Sequence, residues 1–144
     1  MNKVTFEEIL RRDGKLIYTN KGDSMMPLIK EGRDLLVISK TNGRLKKYDV
    51  PLYKRDTGQY VLHRIIRVRK NDYVICGDNR YNKEYGITDR HIIGVLTAVI
   101  RSGREIPVTQ FSYRFYVYVW YFLFPVRSLI MRTKNVLRKL GKKR

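Results

Sequence analysis

The chain has 144 residues, 43% of them hydrophobic, with 31 Lys and Arg against 13 Asp and Glu and a formal net charge of +18. That length suits one domain with a modest core, and the apolar content excludes a disordered chain. One cysteine, Cys76, and two histidines exclude an internal disulfide and leave too few ligands for the usual structural zinc site, so neither metal nor cofactor is expected. All 13 acids fall in residues 1–110, while residues 111–144 carry basic residues and no acid. A surface this basic favours anionic partners, either nucleic acid or an anionic membrane surface.

Residues 1–12 are polar and have no apolar h-region, so no signal peptide is expected. Thr5 and Glu8 have capping-box spacing, and Phe6, Ile9 and Leu10 form an apolar stripe, which predicts a helix over 5–12 closed by Asp13-Gly14. Leu16 to Thr19 reads as a strand running into Gly22-Asp23-Ser24-Met25-Met26-Pro27. Gly22 can take backbone angles closed to other residues, and Pro27 fixes its own φ and pushes Met26 toward extended backbone. Ser24 is therefore expected on a bend with its N–H outside any ladder. A nucleophile and an oxyanion donor need that arrangement, although many Gly-Asp-Ser triplets are ordinary polar turns.

Asp34 to Ser39 is a buried strand by composition, Asn42-Gly43 signals a turn, and Tyr48 to Tyr53 is a strand with Pro51 at an edge or bulge. Gln59 to Arg69 alternates as one strand, with Val61, His63, Ile65 and Arg67 on one face. Tyr73 to Cys76 is a short strand ending in Gly77-Asp78-Asn79, a polar loop covers 80–90, and Ile92 to Ile100 is a strand broken or bulged at Gly94. Glu105 to Thr109 returns as a last strand. Cys76 reads as a buried strand residue and His91 as a surface loop residue. The pattern as a whole predicts a mainly β domain with one short N-terminal helix over residues 1–110.

Residues 111–131 form an aromatic hydrophobic segment, followed by a basic tail over 132–144. The run is short for a spanning helix. Its Tyr and Trp suit a membrane interface; a packed helix, a strand or a dimer interface are the alternatives. The adjoining basic tail favours membrane association through this segment, with the side of the membrane left open.

Ser24, His63 and Asp78 supply a nucleophile, a base of near-neutral pKa and a carboxylate that could orient it, on three separate elements. Here the sequence resembles a known family. Ser24-Met25-Met26-Pro27-Leu28-Ile29 is similar to the nucleophile box of the signal peptidase I family, and Tyr48-Asp49-Val50 stands where that family has a Gly-Asp-x-Val strand. Leu62-His63-Arg64-Ile65-Ile66 resembles its basic box, with histidine as in the archaeal and endoplasmic-reticulum type. Gly77-Asp78-Asn79 resembles its Gly-Asp-Asn box. The match covers about residues 16–100, in the family's order, and identifies an S24/S26-like serine peptidase domain.

The resemblance implies a small β-barrel or β-clip fold, shared with the self-cleaving repressors. It implies a serine endopeptidase that cuts leader or signal-like peptides after small residues. Ser24 would attack the scissile carbonyl, His63 would act as base, and Asp78 would orient His63. Glu84 would be the second acid, with Asp89 as the other possibility. Met25, Met26 and Pro27 would lie against the substrate, Met25 lining the pocket for the residue before the cut. The expected partner is a peptide or preprotein.

Three features depart from the family. Gly22 stands where a hydroxyl residue usually supplies a second oxyanion donor, and Asp23 replaces a glycine, as in the repressors. The family's N-terminal transmembrane helix has no counterpart here. Two further readings remain: a catalytically degenerate, membrane-associated interaction domain, and a basic nucleic-acid-binding β module. The clustering of the aromatics in one apolar run, not interleaved with Lys and Arg, speaks against the last.

Overall fold

The computed structural model describes residues 3–143. Helix α1 (Phe6–Asp13) forms where its capping box predicts: the Thr5 N–H donates to Glu8 Oε2 at 2.8 Å and the Glu8 N–H to Thr5 Oγ1 at 3.2 Å. Gly14 ends it in the left-handed region, at φ 76°. Strand β1 (Lys15–Thr19) follows and pairs antiparallel with β2 (Asp34–Ser39). The chain then runs through β3 (Pro51–Lys54), β4 (Tyr60–Leu62), β5 (Arg64–Val68), β6 (Tyr73–Cys76) and β7 (Glu84–Ile87). A 3-10 turn, Asp89–His91, leads into β8 (Ile92–Arg101) and β9 (Arg104–Pro107), and two helices close the chain, α2 (Phe111–Phe122) and α3 (Phe124–Gly141).

The larger sheet has the order β1-β2-β8-β3-β4, with β9 paired to β8, and a three-stranded sheet is formed by β5-β6-β7. The antiparallel sheet curls into a half-barrel. Helix accounts for 29% of the chain and strand for 32%. The fold is therefore mixed α and β, a correction to the mainly β expectation, because the aromatic segment and the basic tail are both helical. One core lies inside the larger sheet, around Leu10, Met25, Ile29, Leu36, Leu52 and Leu96. A second lies against the smaller sheet, around Tyr53, Ile65, Tyr73 and Ile75.

Two local differences from the sequence reading shape the site. The stretch 59–69 is two strands, not one: β4 pairs with β3 in the larger sheet, β5 pairs with β6 in the smaller, and His63 is the single residue between them. Arg64 and Ile65 are both buried, and a register shift between Ile65 and Arg67 breaks the alternation beyond them. The polar loop 80–90 contains β7, whose exposed Tyr85 and Gly86 hid the strand from a hydrophobic pattern.

The C-terminal segment is corrected as well. Among the described residues no helix is long and apolar enough to cross a membrane, so the expected membrane attachment through 111–131 is not supported. Helix α2 buries Tyr113 and Val117 against the domain, and α3 carries Arg127, Arg132, Lys134, Arg138 and Lys139 along its length. His91 also differs from expectation. It is 5% exposed, its Nδ1 accepts from the Thr88 N–H at 3.0 Å, and its Nε2 stands 3.1 Å from Asp56 Oδ1.

Gly94 allows the closest approach in the first core. A Cβ there would lie 2.7 Å from Ile38 Cγ2 and 3.0 Å from both Leu10 Cδ1 and the Ser39 carbonyl. Gly94→Ala should therefore lower unfolding stability by about 2 kcal/mol, the usual cost of overpacking. Urea unfolding checks this: a lower midpoint with an unchanged slope is expected, and an unchanged midpoint would contradict the packing described.

Candidate active site

The bend that carries Ser24 is fixed at both ends. Gly22 adopts φ 84°, and its N–H donates to Glu31 Oε2 at 2.6 Å. Within the bend, the Met26 N–H bonds the Asp23 carbonyl and the Ile29 N–H bonds the Met25 carbonyl, each at 3.0 Å. At its far end the buried Asp34 accepts from the Lys30 N–H at 2.9 Å and from Arg33 and Arg101. Both guanidiniums also donate to the Leu28 carbonyl, at 2.9 and 2.7 Å. Burial alone would raise the Asp34 pKa, but the hydrogen bonds from Arg101 and Arg33 hold it down at about 2. Asp34 is thus charged at any working pH and ties the bend to β2 and β8.

Ser24 is half-buried, and among the described residues neither its N–H nor its Oγ has a hydrogen-bond partner. The Ser24 N–H is the group expected from the sequence to serve as oxyanion donor, and it is free of the bend's own hydrogen bonds among the described residues. Met25 has another place: it is 0% exposed and belongs to the first core, so it cannot line a pocket for substrate. Its neighbours Met26 and Pro27 do reach the surface.

The 77–80 turn docks on this bend. The Asn79 N–H donates to the Ser24 carbonyl at 2.8 Å, Asn79 Nδ2 donates to the Asp23 carbonyl at 3.2 Å, and Arg80 Nη2 reaches Asp23 Oδ1 at 2.7 Å. Gly77 is the point of closest approach. A Cβ on it would stand 2.8 Å from the Ser24 carbonyl and 3.3 Å from His63 Cδ2. Three stretches far apart in the chain, carrying Ser24, His63 and Gly77-Asp78, therefore meet around one small residue. Ser24 Oγ and the His63 ring are not hydrogen-bonded to each other among the described residues.

His63 is held neutral. Burial pulls its pKa down to about 4; Glu84 opposes that pull, while Arg55 and Arg80 add to it. Glu84 accepts from the Tyr53 hydroxyl at 2.6 Å and from Arg55 at 2.7 and 2.9 Å. Burial would raise its pKa, yet those bonds keep it below the ordinary carboxylate value. Of the two acids considered after Asp78, Glu84 is the one whose charge acts on His63. Asp89 is engaged by Tyr73 and, at 3.1 Å, by Arg44.

Asp78 has a different partner from the one expected. It is 0% exposed, and its two carboxylate oxygens each take a 2.9 Å bond from Arg64, itself 0% exposed. Tyr121 adds a 2.6 Å bond to Oδ1. Trp120 Nε1 and Arg127 Nη1 bond the Asp78 backbone carbonyl at 2.8 and 3.1 Å. Asp78 does not hydrogen-bond His63 among the described residues; it neutralises Arg64, whose proton it makes still harder to remove despite burial. The reading of the sequence missed Arg64, Tyr53, Arg55 and the whole α2 contribution. One signal was available: on the alternating face Arg64 sits between Leu62 and Ile66, and a cation at a core position demands a buried acid.

No group of His, Cys, Asp and Glu among the described residues is placed to hold a metal ion. Cys76 is buried, and burial pushes its thiol up to about 11, so it is not a nucleophile near neutral pH. Comparison with family models, curated proteins and solved structures gave no match to this chain.

The state of His63 makes stability depend on pH. The ring binds its proton near 6.5 when solvated but only near pH 4 in the fold. Between those values the unfolded chain holds more protons, so stability present above pH 6.5 is lost as pH falls toward 4. Relative to His63→Gln, which has nothing to titrate, the wild type should lose up to about 3 kcal/mol across that window. Chemical unfolding of both proteins at a series of pH values reads this directly; parallel curves would show a solvated ring.

Proposed function

We propose that this chain is a serine endopeptidase of the signal peptidase I kind, built on a small signal-peptidase-like β domain and cutting leader or signal-like peptides after small residues. The observation that carries the reading is the meeting of the Ser24 bend and the His63 ring across Gly77. Ser24 Oγ attacks the scissile carbonyl while His63, unprotonated at neutral pH, takes its proton. The Ser24 N–H donates to the oxyanion, an interaction whose loss elsewhere costs about 3 kcal/mol in the barrier. His63 passes the proton to the leaving amine, and water then releases the acyl group from Ser24 by the same steps in reverse. The imidazolium formed along the way is stabilised by Glu84, whose orientation Tyr53 and Arg55 set. Asp78 acts indirectly, by holding the Gly77 turn in place.

The commitment of Asp78 to Arg64, together with the missing Ser24–His63 hydrogen bond, favours one second reading, a peptidase domain that has lost its chemistry. The two readings separate cleanly. Fluorogenic extended peptides with Ala or Gly before the scissile bond should be cleaved by the wild type. Ser24→Ala should lower kcat/KM by a factor of about 10⁴ or more at unchanged fold, with His63→Ala nearly as damaging. A serine-directed acylating inhibitor should label Ser24. Equal cleavage by wild type and Ser24→Ala, or neither cleavage nor labelling, would overturn the proposal.

A further inference from the structure

Beside the Ser24 bend lies a cleft of about 660 Å³, walled on one side by Asp23 and the 79–82 loop and on the other by α3, a size usual for ligand sites. The walls are braced by Asn135 Nδ2, which donates to the Tyr81 hydroxyl at 3.0 Å, and by Arg132, whose guanidinium lies 5.5 Å from the centre of the Tyr81 ring. Asp23 is the one acid in the lining among the described residues, and Arg80 already pairs with it at 2.7 Å. That leaves Lys134 and Arg138 in the lining with no ion-pair partner among the described residues, on a segment, 111–144, whose side chains include no acid. Among the described residues the Arg138 guanidinium makes one side-chain hydrogen bond, to Asn135 Oδ1 at 3.4 Å.

We infer that this cleft receives an acidic segment of the peptide, adjoining the bond presented to Ser24, with Lys134 and Arg138 as its specificity-determining cations. The inference rests on the peptidase reading for what happens next, but not for the binding itself. Asp23 and Asn79 connect the cleft to the bend: both line it, Asp23 precedes Ser24 in the chain, and the Asn79 N–H bonds the Ser24 carbonyl, so a chain lying in the cleft adjoins the Ser24 bend. Cations that have no internal partner keep their full field for a ligand, and a cleft with low-dielectric walls focuses it. An acidic peptide fits better than single-stranded nucleic acid. Binding of the latter uses exposed aromatic faces on which successive bases stack, whereas the cleft offers one ring, Tyr81, already covered by Arg132.

The test uses full-length Ser24→Ala, so that ligand is bound and not consumed. The probe is a labelled extended peptide with three Glu residues flanking an Ala-containing site, compared by fluorescence anisotropy with its Gln counterpart. The acidic probe should bind at least about tenfold more tightly. Lys134→Glu with Arg138→Glu should remove that preference, while Lys70→Glu with Arg104→Glu, an equal charge change outside the cleft lining, should weaken binding less than about twofold. Equal weakening by both pairs would reduce the effect to the overall charge and overturn the inference. So would a single-stranded oligonucleotide that displaces the peptide from the same cleft and depends on the same two cations. Binding with this dependence, but no cleavage by the wild type, would keep the cleft and sink the peptidase reading. Cleavage indifferent to acidic residues would do the reverse.

Discussion

The structure depends on one ion pair sealed from water. Arg64 and Asp78 are both wholly enclosed, share two hydrogen bonds of 2.9 Å, and leave no side-chain polar atom without a partner among the described residues. The remaining Arg64 nitrogen donates to the Tyr48 carbonyl at 3.0 Å and meets the Tyr113 hydroxyl at 3.2 Å. A buried pair of this kind adds little net stability over an apolar packing, but leaving one charge alone costs about 3–5 kcal/mol. Its effect is therefore to allow one arrangement. The pair locks β5, the turn after β6, the loop before β3 and helix α2 to each other, and the turn after β6 is what touches the Ser24 bend.

The aromatic run at the C-terminal end takes its meaning from that pair. Tyr113 and Tyr121 approach the Arg64 guanidinium at 5.6 and 6.0 Å, and Trp120 stacks on Arg127 at 3.9 Å while bonding the Asp78 carbonyl. Side chains with an apolar body and a polar tip suit a membrane interface, and they equally suit the lid of a buried charge. Composition alone cannot separate these two uses. The distinguishing fact, an arginine and an aspartate needing cover, lies about 50 and 35 residues upstream.

What could be read from the sequence follows the range of the interactions. The capping box of α1, the left-handed glycines Gly14 and Gly22, the strand at 34–39 and the bend at Ser24 are set by neighbours in the chain, and all were legible. Ser24, His63 and Asp78 stand out as a group in the sequence, and the Ser24 carbonyl and the His63 ring meet at Gly77, the residue before Asp78. The partners were not legible. Asp78 looked like an acid for His63 because nothing local announces its bonds to Arg64, 14 residues away, and Tyr121, 43 away. Met25 beside Ser24 reads as a pocket wall, but on a tight bend successive side chains point in different directions, and this one enters the core. His63 looked like one member of a long strand; it is the hinge between two sheets, and that position is what lets its ring face the turn.

The central claim is spatial: an imidazole from the junction of two sheets and the backbone of a serine bend press against the same glycine, with the sealed pair holding all three. Nuclear Overhauser spectroscopy on protein carrying ¹³C,¹⁵N-labelled histidine measures this most directly. Cross-peaks from His63 Hδ2 to the Gly77 Hα protons and to Ser24 are expected in the wild type. Their absence in folded protein, with His63 Hδ2 instead close to residues remote from Gly77, would contradict the account.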